Sequence, residues 1–252
     1  MQSKIYKKLQ ETARSMAAAL PEPALYRECR DAIQQADGIM QGCNLIERCR
    51  RKLDEASLEC AHGICHCEAV ARDASAIVII EGRIRSLSQN EIELLGMAAG
   101  VAGLLHDIKR REEDHARLGS IEAEKILQGM GVDPDFTRYV TEAIRNHEAF
   151  KDINSSSDWA AKLVSDALYD ADKFRWGPEN FTTTLWLILE SKATPAEILH
   201  RIFMEKMKGI EKIKGTFRTS TGRRYGPEFI DQGIKIGTAI FQELSALLGK
   251  NG

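Results

Sequence analysis

Apolar residues recur every three or four positions along most of the chain, the period of a helix with one buried face. Residues 3–20 put Ile5, Leu9, Ala13, Met16 and Leu20 on one side, and Pro21 and Pro23 end the run. Further helices are predicted over residues 25–40, up to the break at Gly42, and 44–58. From Gly63 onward His66, Val70 and Ala74 share a face. The β-branched run 76–80 has strand propensity, but its helical neighbourhood favours a buried helix. Residues 88–105 open with a capping box, Ser88 and Glu91, and carry so wide an apolar stripe that most of this helix must be buried. Helices follow over 115–130, closed by Gly131, and from Pro134, with Asp133 as its N-cap. Another begins at Trp159 after the polar stretch 154–158. The last predicted helices cover 181–191, 194–213 and 227–248, with a loop at 215–226 before the final one. The fold class expected is all-α, a helical bundle. Residues 1–55 read as a helical extension and 56–250 as the main domain.

The same periodicity carries polar residues to inward positions. His66 lies on the face of Val70 and Ala74, and His147 extends the stripe Phe136, Val140, Ile144. Asp170 extends the series Trp159, Leu163, Ala167. His106 and Asp107 sit back to back where the most apolar helix ends, and the basic triplet Lys109, Arg110, Arg111 follows, then His115. A carboxylate left unpaired in such a place costs several kcal/mol, on the order of any uncompensated buried charge, so Asp107 needs a cation. A helix cap by His106 with a turn at Asp107 competes with a metal site if the dipeptide is taken alone. Three histidines turned inward from separate helices favour the metal. Imidazole and carboxylate without thiolate suit Mn, Fe, Ni, Co, Zn or Mg.

Composition narrows the function. The 252 residues carry a net charge of −2, which gives no general attraction to nucleic acid or to a membrane surface. No apolar run approaches the roughly 20 residues that span a bilayer, and no signal core follows the basic start, so a cytoplasmic location is expected. Six cysteines in such a compartment point away from disulfides. No C-x-x-C is present. An iron–sulfur cluster on Cys43, Cys49, Cys60 and Cys65 is a minor expectation against small buried thiols between helices.

The order His66, His106-Asp107, His115, His147, Asp170 resembles the HD superfamily of metal-dependent phosphohydrolases over residues of about 55 to 248. His66 stands in an H-G-x-x-H context, Leu104-Leu105-His106-Asp107-Ile108 matches the segment that names the family, and Asp170-Ala171-Asp172-Lys173-Phe174 is similar to its last acidic segment. The tail from Thr221 to Gly226, with Phe229, is similar to the close of the small HD hydrolases described as predicted nucleases. The resemblance implies a first metal on His66, His106, Asp107 and Asp170. Asp107 would bridge to a second metal on His115 and His147. It also implies a metal-activated water that attacks phosphorus, with Lys109, Arg110 and Lys173 as candidate cations for the phosphoryl oxygens. A solvated basic turn competes for Lys109 and Arg110, a surface ion pair for Lys173, and a helix N-cap for His115. His62 reads as an outer or surface residue and His200 as structural.

The function expected is hydrolysis of a small phosphorylated substrate, a nucleotide or another phosphate mono- or diester. The rivals are a di-iron oxygenase, which uses the same ligand types, and a nucleotide-binding regulatory module. Without a basic stripe, long nucleic acid is not the favoured substrate. A homodimer remains open.

Overall fold

The computed structural model describes residues 2–55, 63–152 and 157–249. Cys60 and His62 lie outside these residues, as does most of the polar stretch at 154–158. Twelve α-helices, and no strand, are found among the described residues. The first four are α1 (Gln2–Ala19), α2 (Ala24–Glu28), α3 (Arg30–Gly42) and α4 (Asn44–Glu55). Then come α5 (Ile64–Ile84), α6 (Gln89–Leu105), α7 (His115–Gly129), α8 (Pro134–Arg145) and α9 (Trp159–Phe174). After a π-helical turn at Asn180–Thr184 the chain ends with α10 (Leu185–Ser191), α11 (Ala196–Lys212) and α12 (Ser220–Gly249). The all-α expectation holds.

The hairpin of α5 and α6 is the centre of the bundle. Both helices are buried around most of their circumference over residues 66–82 and 95–105, which matches the width of their apolar stripe. Their backbones touch at Gly103, where a Cβ would stand 2.4 Å from Ala71 Cα. Even one methyl there forces the two helices apart, an overpacking cost of about 1–3 kcal/mol. α9 packs across both members of the hairpin, α8 packs on α7 and α9, and α12 lies against α1, α9 and α11.

The start of α6 is the capping box read from the sequence. Ser88 Oγ accepts from Glu91 N, and the Glu91 carboxylate accepts from Ser88 N at 2.9 Å. Asp133 caps α8 from ahead of Pro134, and Gly131 takes φ +70°. Two expectations are corrected. The helix predicted over 25–40 is two helices, broken at Cys29, which leaves helical dihedrals at φ −115° and ψ 33°. The loop predicted over 215–226 is helical from Ser220, and Pro227 sits inside α12. Two buried carboxylates start that helix early. Asp170 accepts from Arg218 N and Thr219 N, each at 2.8 Å, and Glu81 accepts from Thr221 N at 2.7 Å. The orphan donors of a first turn are thus supplied with acceptors. Pro227, which removes one backbone hydrogen bond and crowds the preceding turn, thus sits within a helix anchored at its start.

Residues 1–55 do not sit apart from the rest. Ile5, Leu9, Ala13, Leu25, Ile46 and Leu53 are buried in the same apolar core as Leu104, Val140 and Ile236.

Candidate metal centre

His66 comes from the first turn of α5, His106 and Asp107 from the C-terminal end of α6, and His115 from the first residue of α7. His147 follows the end of α8. All five side chains are buried, and their imidazoles run in a strip with ring centroids 5.4 Å apart for His66 and His106, then 5.2 Å for His106 and His147, and 5.2 Å for His147 and His115. Two trios have ligand atoms within 4.8 Å of one another: His66, His106 and Asp107, and then Asp107, His115 and His147. Asp107 is common to both. Its Oδ2 lies 3.5 Å from His106 Nε2, and its Oδ1 lies 3.6 Å from His147 Nε2 and 3.9 Å from His115 Nε2.

The tautomers are set by the backbone. His106 Nδ1 is 2.7 Å from Gly103 O and His147 Nδ1 is 2.6 Å from Ile144 O, each three residues back. A carbonyl only accepts, so both Nδ1 atoms carry the hydrogen, and Nε2 is the nitrogen that holds the lone pair in the neutral ring. Those lone pairs face carboxylate oxygens. His106 Nε2 is fully buried with no hydrogen-bond partner among the described residues. Burial pushes the His106 ring down to about 4, against the pull of Asp107 and Asp172, so it is neutral near pH 7. Acceptors turned toward acceptors in a buried space are stable only with a cation between them. The donor set therefore fits a divalent metal ion of the Mn, Fe, Co, Ni, Zn or Mg kind.

Asp170, the expected last carboxylate of the first metal, points elsewhere. It accepts from Arg218 N, Thr219 N and Thr219 Oγ1, and so anchors the start of α12. Gly222 packs directly on it, since a Cβ there would fall 2.0 Å from Asp170 Oδ2. Burial pushes this carboxyl up to about 6, against the pull of those donors. Asp172, two residues on, is the acid of this segment that faces the histidines. Its Oδ1 is 3.6 Å from His66 Nε2 and 3.9 Å from His106 Nε2. Burial opposes its ionisation, but Lys173 and the two histidines outweigh that and hold the carboxyl well below its ordinary range. The sequence could not separate the two acids by periodicity, because every residue of α9 from Leu163 to Phe174 is buried. The arrangement then offers two nitrogens and two carboxylates for one ion, and Asp107 with two nitrogens for another.

The basic residues divide. Arg110 Nη1 is 2.8 Å from His115 Nε2, and its Nε is 3.9 Å from Asp107 Oδ2, so it lies beside the second trio. Burial and the nearby Arg110 charge push the His115 ring down. Lys173 is buried, donates to His147 O at 3.1 Å and pairs with Asp172. Lys109 pairs with Glu122 at 3.6 Å and is not among the residues that line the cavity. A cavity of about 370 Å³ opens over both trios, walled by Arg110, Lys173, Phe150, Trp176, Asn180 and Ile188. None of the last four was singled out from the sequence. They come from the segments around 150 and 176–188, which only the tertiary fold brings to the histidines.

His200 stacks on Phe241 and meets Ser245 Oγ at 2.9 Å, away from this site. Among the described cysteines, Cys43, Cys49 and Cys67 pack in the core and Cys65 is exposed. No group with metal-binding geometry among the described residues includes a thiol. Among the described residues no helix is long and apolar enough to cross a membrane.

No family model matches the chain, and no curated protein matches it. Among solved structures the chain is similar to a predicted HD superfamily hydrolase from an uncultured Thermotogales bacterium. The likeness is 24% identity over 82% of this chain and 93% of the other, with a TM-score of 0.43.

Proposed function

We propose that this chain is a metal-dependent phosphohydrolase of the HD type, acting on a small phosphate mono- or diester such as a nucleotide. The observation that carries the reading is the pair of buried trios sharing Asp107 on the floor of one cavity. Divalent ions held there would supply Lewis acidity and make a water nucleophilic near neutral pH. The chain's own residues supply the rest. Asp107, common to both trios, would be shared by the two ions. The backbone carbonyls of Gly103 and Ile144 hold His106 and His147 in the ligand tautomer. Lys173 orients Asp172 by pairing with it, and its charge offsets the accumulation of carboxylates. Arg110 lines the cavity with its guanidinium partly exposed, within reach of a phosphoryl oxygen, where a forked donor suits a tetrahedral anion. Trp176 and Phe150 give the cavity apolar walls for the non-phosphate part of a substrate.

The test is a panel of phosphate monoesters, diesters and nucleotides assayed with Mn²⁺, Co²⁺ or Mg²⁺. Metal-dependent release of phosphate or nucleotide that Asp107→Ala abolishes is expected. Iron as the bound metal with oxygen uptake and no hydrolysis would replace this reading with an oxygenase.

A further inference from the structure

His106 and His147 are oriented by backbone carbonyls of their own helices, but His66 is oriented differently. Its Nδ1 lies 3.5 Å from Glu179 Oε1, while Nε2 faces Asp172. Glu179 comes from the turn after α9, more than a hundred residues along the chain, and something must hold that turn in place. Two things do. Gly177 and Gly233 pack backbone to backbone, with a Cβ on Gly233 falling 2.9 Å from Gly177 Cα, so the turn is pressed onto α12. Arg175 then grips Glu179 through Nη1 at 3.0 Å.

Arg175 is itself held from the N-terminal part of the chain. Its Nη2 donates to Tyr26 Oη at 2.8 Å and pairs with Asp73, which is fully buried on α5. Tyr26 Oη donates to Asp73 Oδ2 at 2.6 Å. Arg72 supplies the other Asp73 oxygen at 3.2 Å. Tyr26 belongs to α2 and its ring meets Phe229 of α12 edge-on, with centroids 5.6 Å apart. The train therefore runs Tyr26, Asp73, Arg175, Glu179, His66, and every link is a charge or a donor facing an acceptor. Charges alternate along it, so each buried ion has an opposite neighbour.

On the reading that His66 holds a metal, we infer that Glu179 is a positioning residue for the first ion. We further infer that Tyr26, from the segment ahead of the HD-like region, acts on that ion through Arg175 and Glu179. Glu179 Oε1, 3.5 Å from His66 Nδ1, faces the nitrogen that would carry the hydrogen when Nε2 holds the ion. Tyr26 fixes the guanidinium that fixes Glu179. The N-terminal helices are on this account part of the site's machinery, and their role is not confined to covering the core.

The experiment is a Mn²⁺ titration of the 252-residue chain and of Glu179→Gln, Tyr26→Phe and the double variant, read by binding and by the paramagnetic signal of free Mn²⁺. Metal-free melting curves are recorded beside it. Loss of an outer partner of a ligating histidine weakens metal binding about 10–100-fold. Glu179→Gln is expected to weaken the tighter site by that amount and leave the second site unchanged, with the metal-free melting curve near that of the parent. Tyr26→Phe is expected to weaken the same site a few-fold. In the Glu179→Gln background it is expected to add nothing, because both act through one path. Unchanged tight-site affinity in Glu179→Gln overturns the positioning role. Additive effects of the two substitutions overturn the train from Tyr26. Absence of Mn²⁺ binding in the parent overturns the metal reading itself, and this inference with it.

Discussion

Asp170 and Asp172 stand two residues apart on α9, both buried, and they do opposite work. Asp170 faces two backbone N–H groups and a hydroxyl that start α12, and its acceptor capacity is used within the protein. Asp172 faces the nitrogens of His66 and His106, with Lys173 on its other oxygen. The difference teaches how to read a buried acid. One whose oxygens are both taken by donors is a structural clamp, and one that keeps an oxygen turned toward histidine nitrogens has room for a metal ion. Glu81 belongs with Asp170, since it accepts from Ser220, Thr221 and Arg85. Asp107 belongs with Asp172.

The sharpest way to break this comparison is at Asp107. Asp107→Ala should release metal from both trios and lower any hydrolytic rate by more than the roughly 10–100-fold typical of an outer partner. Elemental analysis and the ester panel check it together. Next come the two neighbours on α9. Asp172→Asn should empty the first ion position and also lower the melting temperature, because it leaves the buried Lys173 without its charged partner. Asp170→Asn should retain metal and lose about 2 kcal/mol of stability, the scale of hydrogen bonds to a charged group. That is a fall of about 4–8 °C in melting temperature, at 2–4 °C per kcal/mol for a chain of this size. If Asp170→Asn loses the metal and Asp172→Asn keeps it, the assignment of the two acids is reversed.

A smaller effect sharpens the clamp side. Burial pushes the Glu81 carboxyl up, but Ser220, Thr221 and Arg85 outweigh it and hold the group below its usual value. A depressed carboxylate stabilises the fold above its unfolded pKa of about 4.3. That contribution is lost as pH falls through the lower folded value. Denaturation followed from pH 7 down to pH 3 should show Glu81→Gln less stable at neutral pH, with the gap closing in acid. A gap that widens in acid would contradict the clamp. The smallest effect is at Lys109, whose pair with Glu122 is partly exposed to solvent. Lys109→Ala should change stability by no more than about 0.5 kcal/mol and leave activity intact. Arg110→Ala, one residue on, should impair activity.

Much of the fold was legible because helical periodicity and caps are local. The Ser88–Glu91 box and the Asp133–Pro134 start are where the sequence puts them. The inward faces of His66, His106 and His147 were readable for the same reason. The early start of α12 was not, because the acceptors that begin it, Asp170 and Glu81, lie far away in sequence. Asp172 was hidden by the very burial of α9, which leaves no polar face against which to measure direction. Glu179 and Arg175 carry no local pattern at all. Their role exists only once the turn that bears them is pressed against α12 and met by Tyr26 from α2.

The most direct test of the account is the number of metal equivalents bound per chain, in the parent and in Asp107→Asn. Two equivalents in the parent, with both lost or greatly weakened in the variant, are predicted from a carboxylate shared by two trios. Two equivalents retained at parent affinity in Asp107→Asn would contradict it.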